Sequence, residues 1–414
     1  MSLNVRAKAF YRSGKAGLND WLERVIQYCN RVLNISEDRN ISILRRVAQE
    51  CVYFLGNAAQ LVKQFPRLDA YQLEGPGGER LIFVGEHRSA SVFAYNFFGT
   101  NPCAEQTLGR VKTWEIPSQA NQWLRNGIHL VVCELSLLYP FRFSPMAVSS
   151  PKLVRQEVPL PTDLNLLLED PHLRRIRRNI NRAERAGFKS YFSQEKTDFD
   201  LFYQKMYTPY VTKRFGNTAF TASYQGQLEE FKQGGLMMVT QNDKPVAAML
   251  MKLQKRRCFF IDAGILDADE TLMGQGVFTY NLWSIFRWAH EHGAEVLDLG
   301  GSMSWRSNGV FRYKETWKAQ VKRFRFIQNN LFFIIQEPPS TLLNTLNQTG
   351  LINERGGKFY SVQFTEEQRP FTTPSREQAA NEARQDGLSG LVVVSPLSVK
   401  YLSAITDEQD GVKK

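Results

Sequence analysis

The sequence is short of the groups on which several chemistries depend. Five cysteines occur in 414 residues, at positions 29, 51, 103, 133 and 258, with no CxxC pair. An odd, scattered set suits neither a disulfide framework nor a zinc ribbon, and reduced thiols point to a cytoplasmic location. Histidine is equally scarce, also at five. His290 and His292 stand two apart, on different faces of a helix, which is poor metal-ligand spacing; no metal site is expected. The patterns GxSxG, HExxH and GxxxxGK(S/T) are missing, which argues against a nucleophile elbow, a zincin and a P-loop. No uncharged apolar run reaches membrane-spanning length: the longest, Ile128 to Phe141, is interrupted by Glu134. The opening MSLNVRAKAFYRSGKAG is charged and has no apolar core, so a secretory signal is not expected. A peripheral contact with an anionic membrane surface is the membrane role left open.

Positive charge, by contrast, is plentiful. The net charge is +11, with 43% hydrophobic and 22% charged residues. Such a composition describes a folded globular protein, and the charge favours anionic partners such as nucleic acid or phosphorylated cofactors. The length implies two domains and a tail.

Residues 1–150 read as helices followed by strands. Helical spacing runs from about 18 to 64 and ends at Pro66. A period of two then sets in, with a hairpin around Gly75-Pro76-Gly77-Gly78 and strand candidates SVFAYNFFG, VKTWEIP and HLVVCELSLLY. The proline-punctuated stretch SPMAVSSPKLVRQEVPLPTDL reads as a connector. A second domain, residues 165–337, opens with the basic helix HLRRIRRNINRAERAGFK, whose Leu173, Ile176, Ile180 and Ala183 share a face and whose Gly187 suits a C-cap. Two helices, the strands GLMMVTQ, VAAMLMKLQ and CFFIDAGIL, an apolar helix from Val277 and the strand EVLDLGG follow. The helix GVFRYKETWKA and the strands VKRFRFI and NLFFIIQ close the domain. Residues 338–414 read as a partly flexible tail.

Two stretches carry chemistry. In TLMGQGV, glycines before a helix N-terminus let backbone N–H groups approach an anion, and the helix adds its positive end. In LDLGGSMSWRSNGVFRYKETW, a glycine loop separates an apolar strand from a lysine set among aromatics. The order of these elements resembles the GNAT superfamily of N-acyltransferases, whose pyrophosphate loop typically reads (Gln/Arg)-x-x-Gly-x-(Gly/Ala). Thr271, Gly274 and Gly276 stand at those positions. The second stretch resembles the closing motif of Fem-type aminoacyl and peptidyl transferases and their acetyltransferase relatives: Ala289, Gly293, Ala294, Asp298, Gly300 and Gly301, then Gly309, Phe311, Tyr313, Lys314 and Trp317. The resemblance covers roughly residues 170 to 330.

The fold it implies is α/β, a GNAT-like mixed sheet with flanking helices. The N-terminal helical and β-rich domain is read as a possible diverged copy. The donor it implies is acyl-CoA or aminoacyl-tRNA, with Thr271, Gly274, Gln275 and Gly276 on its phosphates and no tightly bound cofactor. Lys314 takes the donor's ester region by the same resemblance. A donor fixed at a developing oxyanion stabilises the transition state selectively. The base that relieves the attacking amine of its proton is sought among Asp262, Asp298, Glu315 and Tyr313. Asp262 lies in the apolar strand FFIDAGI, where burial would raise its pKa; Asp298 is more readily a structural group holding the Gly300-Gly301 loop. Ser302, Arg306 and Asn308 are candidate acceptor contacts, the latter two suited to a carboxylate or phosphate. The expected activity is N-acyl transfer from acyl-CoA to an amine, with a cell-envelope or polysaccharide precursor as the acceptor class. Aminoacyl-tRNA-dependent transfer and a non-catalytic descendant binding nucleic acid or a partner protein are the alternatives.

Overall fold

The computed structural model describes residues 51–365, 381 and 387–403, apart from 53, 60–63, 65–66, 137, 140–142, 144–146, 217–220, 325–328, 337 and 396–397. The helices expected before residue 51 and the polar segment 366–380 lie outside the described residues. The described residues fall into two units. One holds those up to Val154, Met303–Asn308 and those from Arg323 onward; the other holds Arg155–Ser302 and Gly309–Lys322.

In the first unit a six-stranded sheet runs in the order Ala104–Lys112, Arg67–Glu74, Arg80–Val84, Leu130–Leu135, Asn330–Ile335, Ala147–Pro151. The expected hairpin closes with Glu74 opposite Arg80. Several expectations fail here. SVFAYNFFG belongs to helix His87–Phe98, because Ala90, Phe93, Ala94 and Phe97 are buried at helical spacing while Tyr95, the residue that mimics alternation, is exposed. VKTWEIP ends a strand and turns through Thr113–Glu115 into helix Ile116–Arg125, with Pro117 in its first turn. The stretch read as a connector supplies strands Ala147–Pro151 and Leu153–Pro159, with Pro151 and Pro159 at the strand ends. The division is also not linear. Asn330–Ile335 pairs with Leu130–Leu135 and Ala147–Pro151, and the residues after 338 contribute helix Ser340–Thr349 and a four-stranded sheet.

The second unit is built on a seven-stranded sheet. Its strands are β1 (Leu153–Pro159), β2 (Phe188–Ser193), β3 (Gly235–Gln241), β4 (Lys244–Gln254), β5 (Arg257–Ile265), β6 (Val296–Met303) and β7 (Gln320–Arg323), in the order β7-β1-β6-β5-β4-β3-β2. Strands β2 to β5 pair antiparallel in succession, and β5 pairs parallel with β6. Both faces are covered, so the central strands are apolar throughout rather than alternating with polar residues. Leu236, Met238, Ala248 and Leu250 face one cluster with Phe199, Phe202 and Tyr207. Met237, Met249 and Met251 face the other. There they meet helices α1 (Arg174–Arg185) and α2 (Val277–Glu291) through Ile176, Ile180, Leu282 and Phe286. On the first face Gly264 admits the helical turn at Phe202–Tyr207, since a Cβ there would stand 2.5 Å from Met206 C and Tyr207 N.

After the short helix α3 (Gly309–Glu315), Trp317 turns inward and stacks on Phe286 with ring centroids 4.8 Å apart. This buried contact anchors the end of α3 to α2. Replacing Trp317 with Ala is expected to cost about 3–5 kcal/mol. Urea denaturation checks this; a loss below about 1 kcal/mol would show that the anchor is elsewhere.

Candidate active site

The cavity arises where two paired strands part. The parallel ladder between β5 and β6 runs from Arg257 opposite Val296 to Phe259 opposite Asp298 and stops. Strand β5 stays paired with β4 as far as Ile265, with a bulge between Phe260 and Asp262 that re-aims its side chains. Past the end of the parallel ladder, Phe260–Ala263 on β5 and Leu299–Gly301 on β6 line a cavity of about 540 Å³. Gly276, Phe278 and Thr279 from the start of α2 close it, together with Gly309, Tyr313 and Lys314 from α3. Arg175 and Asn179 of α1, with Tyr210 and Arg214, complete the polar and aromatic part of the wall.

Lys314 is 6% exposed. Its Nζ donates to Gly301 O at 2.7 Å and Gly300 O at 3.1 Å. An ammonium has three donors, so one remains for a group in the cavity. Burial lowers its pKa to about 7, against the opposing pull of the Asp298 carboxylate. Asp298 holds the same loop from behind. Its Oδ1 accepts from Gly300 N–H at 2.8 Å, and its Oδ2 lies 3.5 Å from Arg155 Nη1. That is the loop-holding role expected of it.

Asp262 lines the same cavity. Burial raises its carboxyl to about 6, opposed by a hydrogen bond donated by Gln227 Nε2. Gln227 is 2% exposed on helix Tyr224–Lys232. The sequence reading missed it, although a polar residue four before the buried Phe231, on the inward face of a helix, is a readable signal. Tyr313 also lines the cavity, with its ring edge-on to Phe278 at 5.3 Å. Burial pushes its phenol well above the ordinary tyrosine value, so it holds its proton near neutrality. This separates it from Asp262 as a base.

The glycine turn is less open than its sequence implies. Gly276 has φ +90° and caps α2, and a Cβ there would meet Asn179 O of α1 at 2.8 Å. Only a glycine fits both demands. Arg182 Nη1 binds Gly274 O at 3.0 Å, so α1 also clasps the turn. Gln275 and Gly276 N–H groups donate to Thr271 O and Met273 O. The Thr271 hydroxyl donates to Asp269, and Gln275 Oε1 accepts from Gln241. Of the four loop residues singled out in the sequence, Gly276 reaches the cavity wall. The three loop candidates for acceptor binding are also placed apart from the cavity wall. Ser302 is buried and donates to Gln156 Oε1 at 2.8 Å. Arg306 and Asn308 belong to the first unit, where Arg306 N–H donates to Gly350 O and Asn308 Nδ2 to Asn96 Oδ1.

Residues 172–315 match the family model for the acetyltransferase (GNAT) domain. This segment is therefore a GNAT-type acyltransferase domain, and the protein is an acyltransferase. Among solved structures, FemX matches with 11% identity and a TM-score of 0.35, covering 78% of this chain and 98% of its own. The L-PGS structure from Bacillus licheniformis matches with 12% identity and a TM-score of 0.33, over 69% and 89% of the two chains. The C-terminal domain of a lysylphosphatidylglycerol synthetase from Agrobacterium fabrum, described as putative, gives 14% identity and 0.30, over 70% and 90%. No curated protein matches the chain.

The raised pKa of Asp262 has a consequence for stability. Between about pH 4 and about 6 the folded protein keeps a proton that the unfolded chain has lost, so this group lowers stability as pH rises through that range. Asp262→Asn removes the effect. The variant is expected to melt above the parent protein at pH 8 and together with it at pH 4, by calorimetry. A lower melting temperature at pH 8 would mean that the ionised carboxylate is favoured in place.

Proposed function

We propose that this cavity is the site where an amine attacks the thioester of an acyl-CoA. The observation that carries the reading is that Lys314, Asp262 and Gly276 line one cavity. The amine nitrogen bonds to the carbonyl carbon, and negative charge moves to the carbonyl oxygen. The third N–H of Lys314 meets that oxygen, in a site where apolar walls strengthen the interaction. Asp262 takes the proton that the nitrogen must lose. The tetrahedral intermediate collapses by breaking the C–S bond, and the proton held by Asp262 passes to the departing thiolate, which restores the carboxylate. The first turn of α2 beyond Gly276 leaves N–H groups without intrahelical partners, which suits the anionic part of the carrier. A second reading, transfer from aminoacyl-tRNA, draws on the exposed arginines 174, 175, 178 and 185 along α1. Calorimetric titration with acetyl-CoA, beside filter binding of charged tRNA, separates the two donors.

Lys314→Met keeps the stem and removes the donors. A fall in kcat of about 100- to 1,000-fold is expected from the loss of one oxyanion donor. The variant also strands two carbonyls, so a measurable loss of stability accompanies it. Unchanged turnover in a folded Lys314→Met would remove the lysine from the mechanism.

The two titrating groups also set the pH profile. Asp262 must have lost its proton, and Lys314 must have kept its own. The profile of kcat/KM should therefore rise through about 6 and fall through about 7. Asp262→Asn should abolish the rising limb in whatever activity remains. A profile that climbs without a fall from pH 6 to 9 contradicts the assignment of Lys314 as a cationic donor.

A further inference from the structure

A second cavity, of about 400 Å³, adjoins the first and shares Arg175, Asn179, Thr279, Gly309 and Tyr313 with it. Its remaining wall includes Arg312, Glu315 and Thr316 of α3 and the turn that follows. Two guanidiniums thus reach it from separate elements, Arg175 from α1 and Arg312 from α3. Both residues are exposed, and among the described residues neither guanidinium has a hydrogen-bond or ion-pair partner. On the same helix as Arg175, Arg182 binds Gly274 O and Arg177 binds Leu168 O. Against the two arginines stands the single carboxylate of Glu315, so the cavity is left with an excess of positive charge.

The glycine turn beside it explains why an acyl carrier would use such a place. The N–H groups of Gln275 and Gly276 and the side chains of Thr271 and Gln275 all bond within the protein. The turn therefore leaves a phosphate chiefly the first N–H groups of α2, and a further phosphate of the carrier needs donors elsewhere. Resting on the acyl-transfer reading above, we propose that Arg175 and Arg312 form a second anion seat, which takes a phosphate group of the acyl carrier while the acyl end lies in the larger cavity. A guanidinium presents a fork of N–H donors matched to phosphate oxygens, and two of them from different helices fix the orientation of the carrier. The small shared wall of Thr279, Gly309 and Tyr313 places this seat next to the reacting groups.

The test uses the full-length protein and the double variant Arg175→Gln/Arg312→Gln, with coenzyme A, pantetheine and inorganic pyrophosphate as probes in calorimetry. Both side chains are exposed, so the fold should survive, and a thermal melt verifies it. The parent protein should bind coenzyme A more tightly than pantetheine. The double variant should lose at least about tenfold in affinity for coenzyme A and none for pantetheine. Pyrophosphate should compete with coenzyme A on the parent protein and compete less on the variant. Equal affinity of both proteins for coenzyme A overturns the seat while leaving the acyl-CoA reading in place. Should coenzyme A fail to bind, yet pyrophosphate or charged tRNA bind in a manner dependent on the two arginines, the seat stands and the acyl-CoA reading falls. If none of these anions binds the parent protein, the seat is refuted.

Discussion

An ammonium inside a protein is costly to bury unless its protons find acceptors. Lys314 finds two, the carbonyls of Gly300 and Gly301, in the part of β6 beyond its ladder with β5. The site depends on this arrangement. Were β6 still paired with β5 at Gly300, those groups would face a ladder rather than a side chain, and no cavity would separate the strands. Asp298 sets the geometry two residues earlier by accepting from Gly300 N–H, with Arg155 beside its other oxygen. Burial then does chemical work on the lysine, bringing its pKa to about 7. The charge is held where a developing oxyanion would lower its energy.

The same parting of strands exposes Asp262 on the other side. A bulge between Phe260 and Asp262 turns this stretch of β5 toward the cavity, and the apolar wall raises the carboxyl to about 6. Gln227 is the brake on that rise. It donates to Asp262 and keeps the ionised form within reach of neutral pH. One environment therefore moves an acid upward and a base downward, so that the two are displaced toward each other. Pairs displaced toward each other in this way are suited to proton transfer near neutrality.

Much of the second unit was legible in the sequence because its signals are local. The strands from Gly235 to Ile265, the helix from Val277 and the aromatic-flanked Lys314 each announce themselves by period or by punctuation. Gly276 was legible as a glycine but not for its full reason, because the crowding by Asn179 comes from a helix almost a hundred residues earlier in the chain. Long-range pairing was hidden for the same cause. Nothing local in NLFFIIQ says that it joins Leu130–Leu135 rather than the strand before it. Helix His87–Phe98 was misread because Phe93, Tyr95 and Phe97 satisfy a period of two as well as Ala90, Phe93, Ala94 and Phe97 satisfy a helix. Arg306 and Asn308 looked like site residues by their nearness to Lys314 in sequence, yet Trp305 anchors their loop in the first unit against Phe93. Arg175 and Arg312 show the converse, since more than a hundred positions separate two side chains that line one cavity.

The central claim is that Lys314 is a buried, titratable ammonium poised near neutral pH. Nuclear magnetic resonance of protein carrying carbon-13 at the lysine ε position tests it directly, with Lys314→Met identifying the signal. The account predicts one lysine resonance with a midpoint near 7 that disappears in the variant. If the Lys314 resonance instead titrates above about 10, like an ordinary solvated lysine, the ammonium is not desolvated as described and the account is wrong.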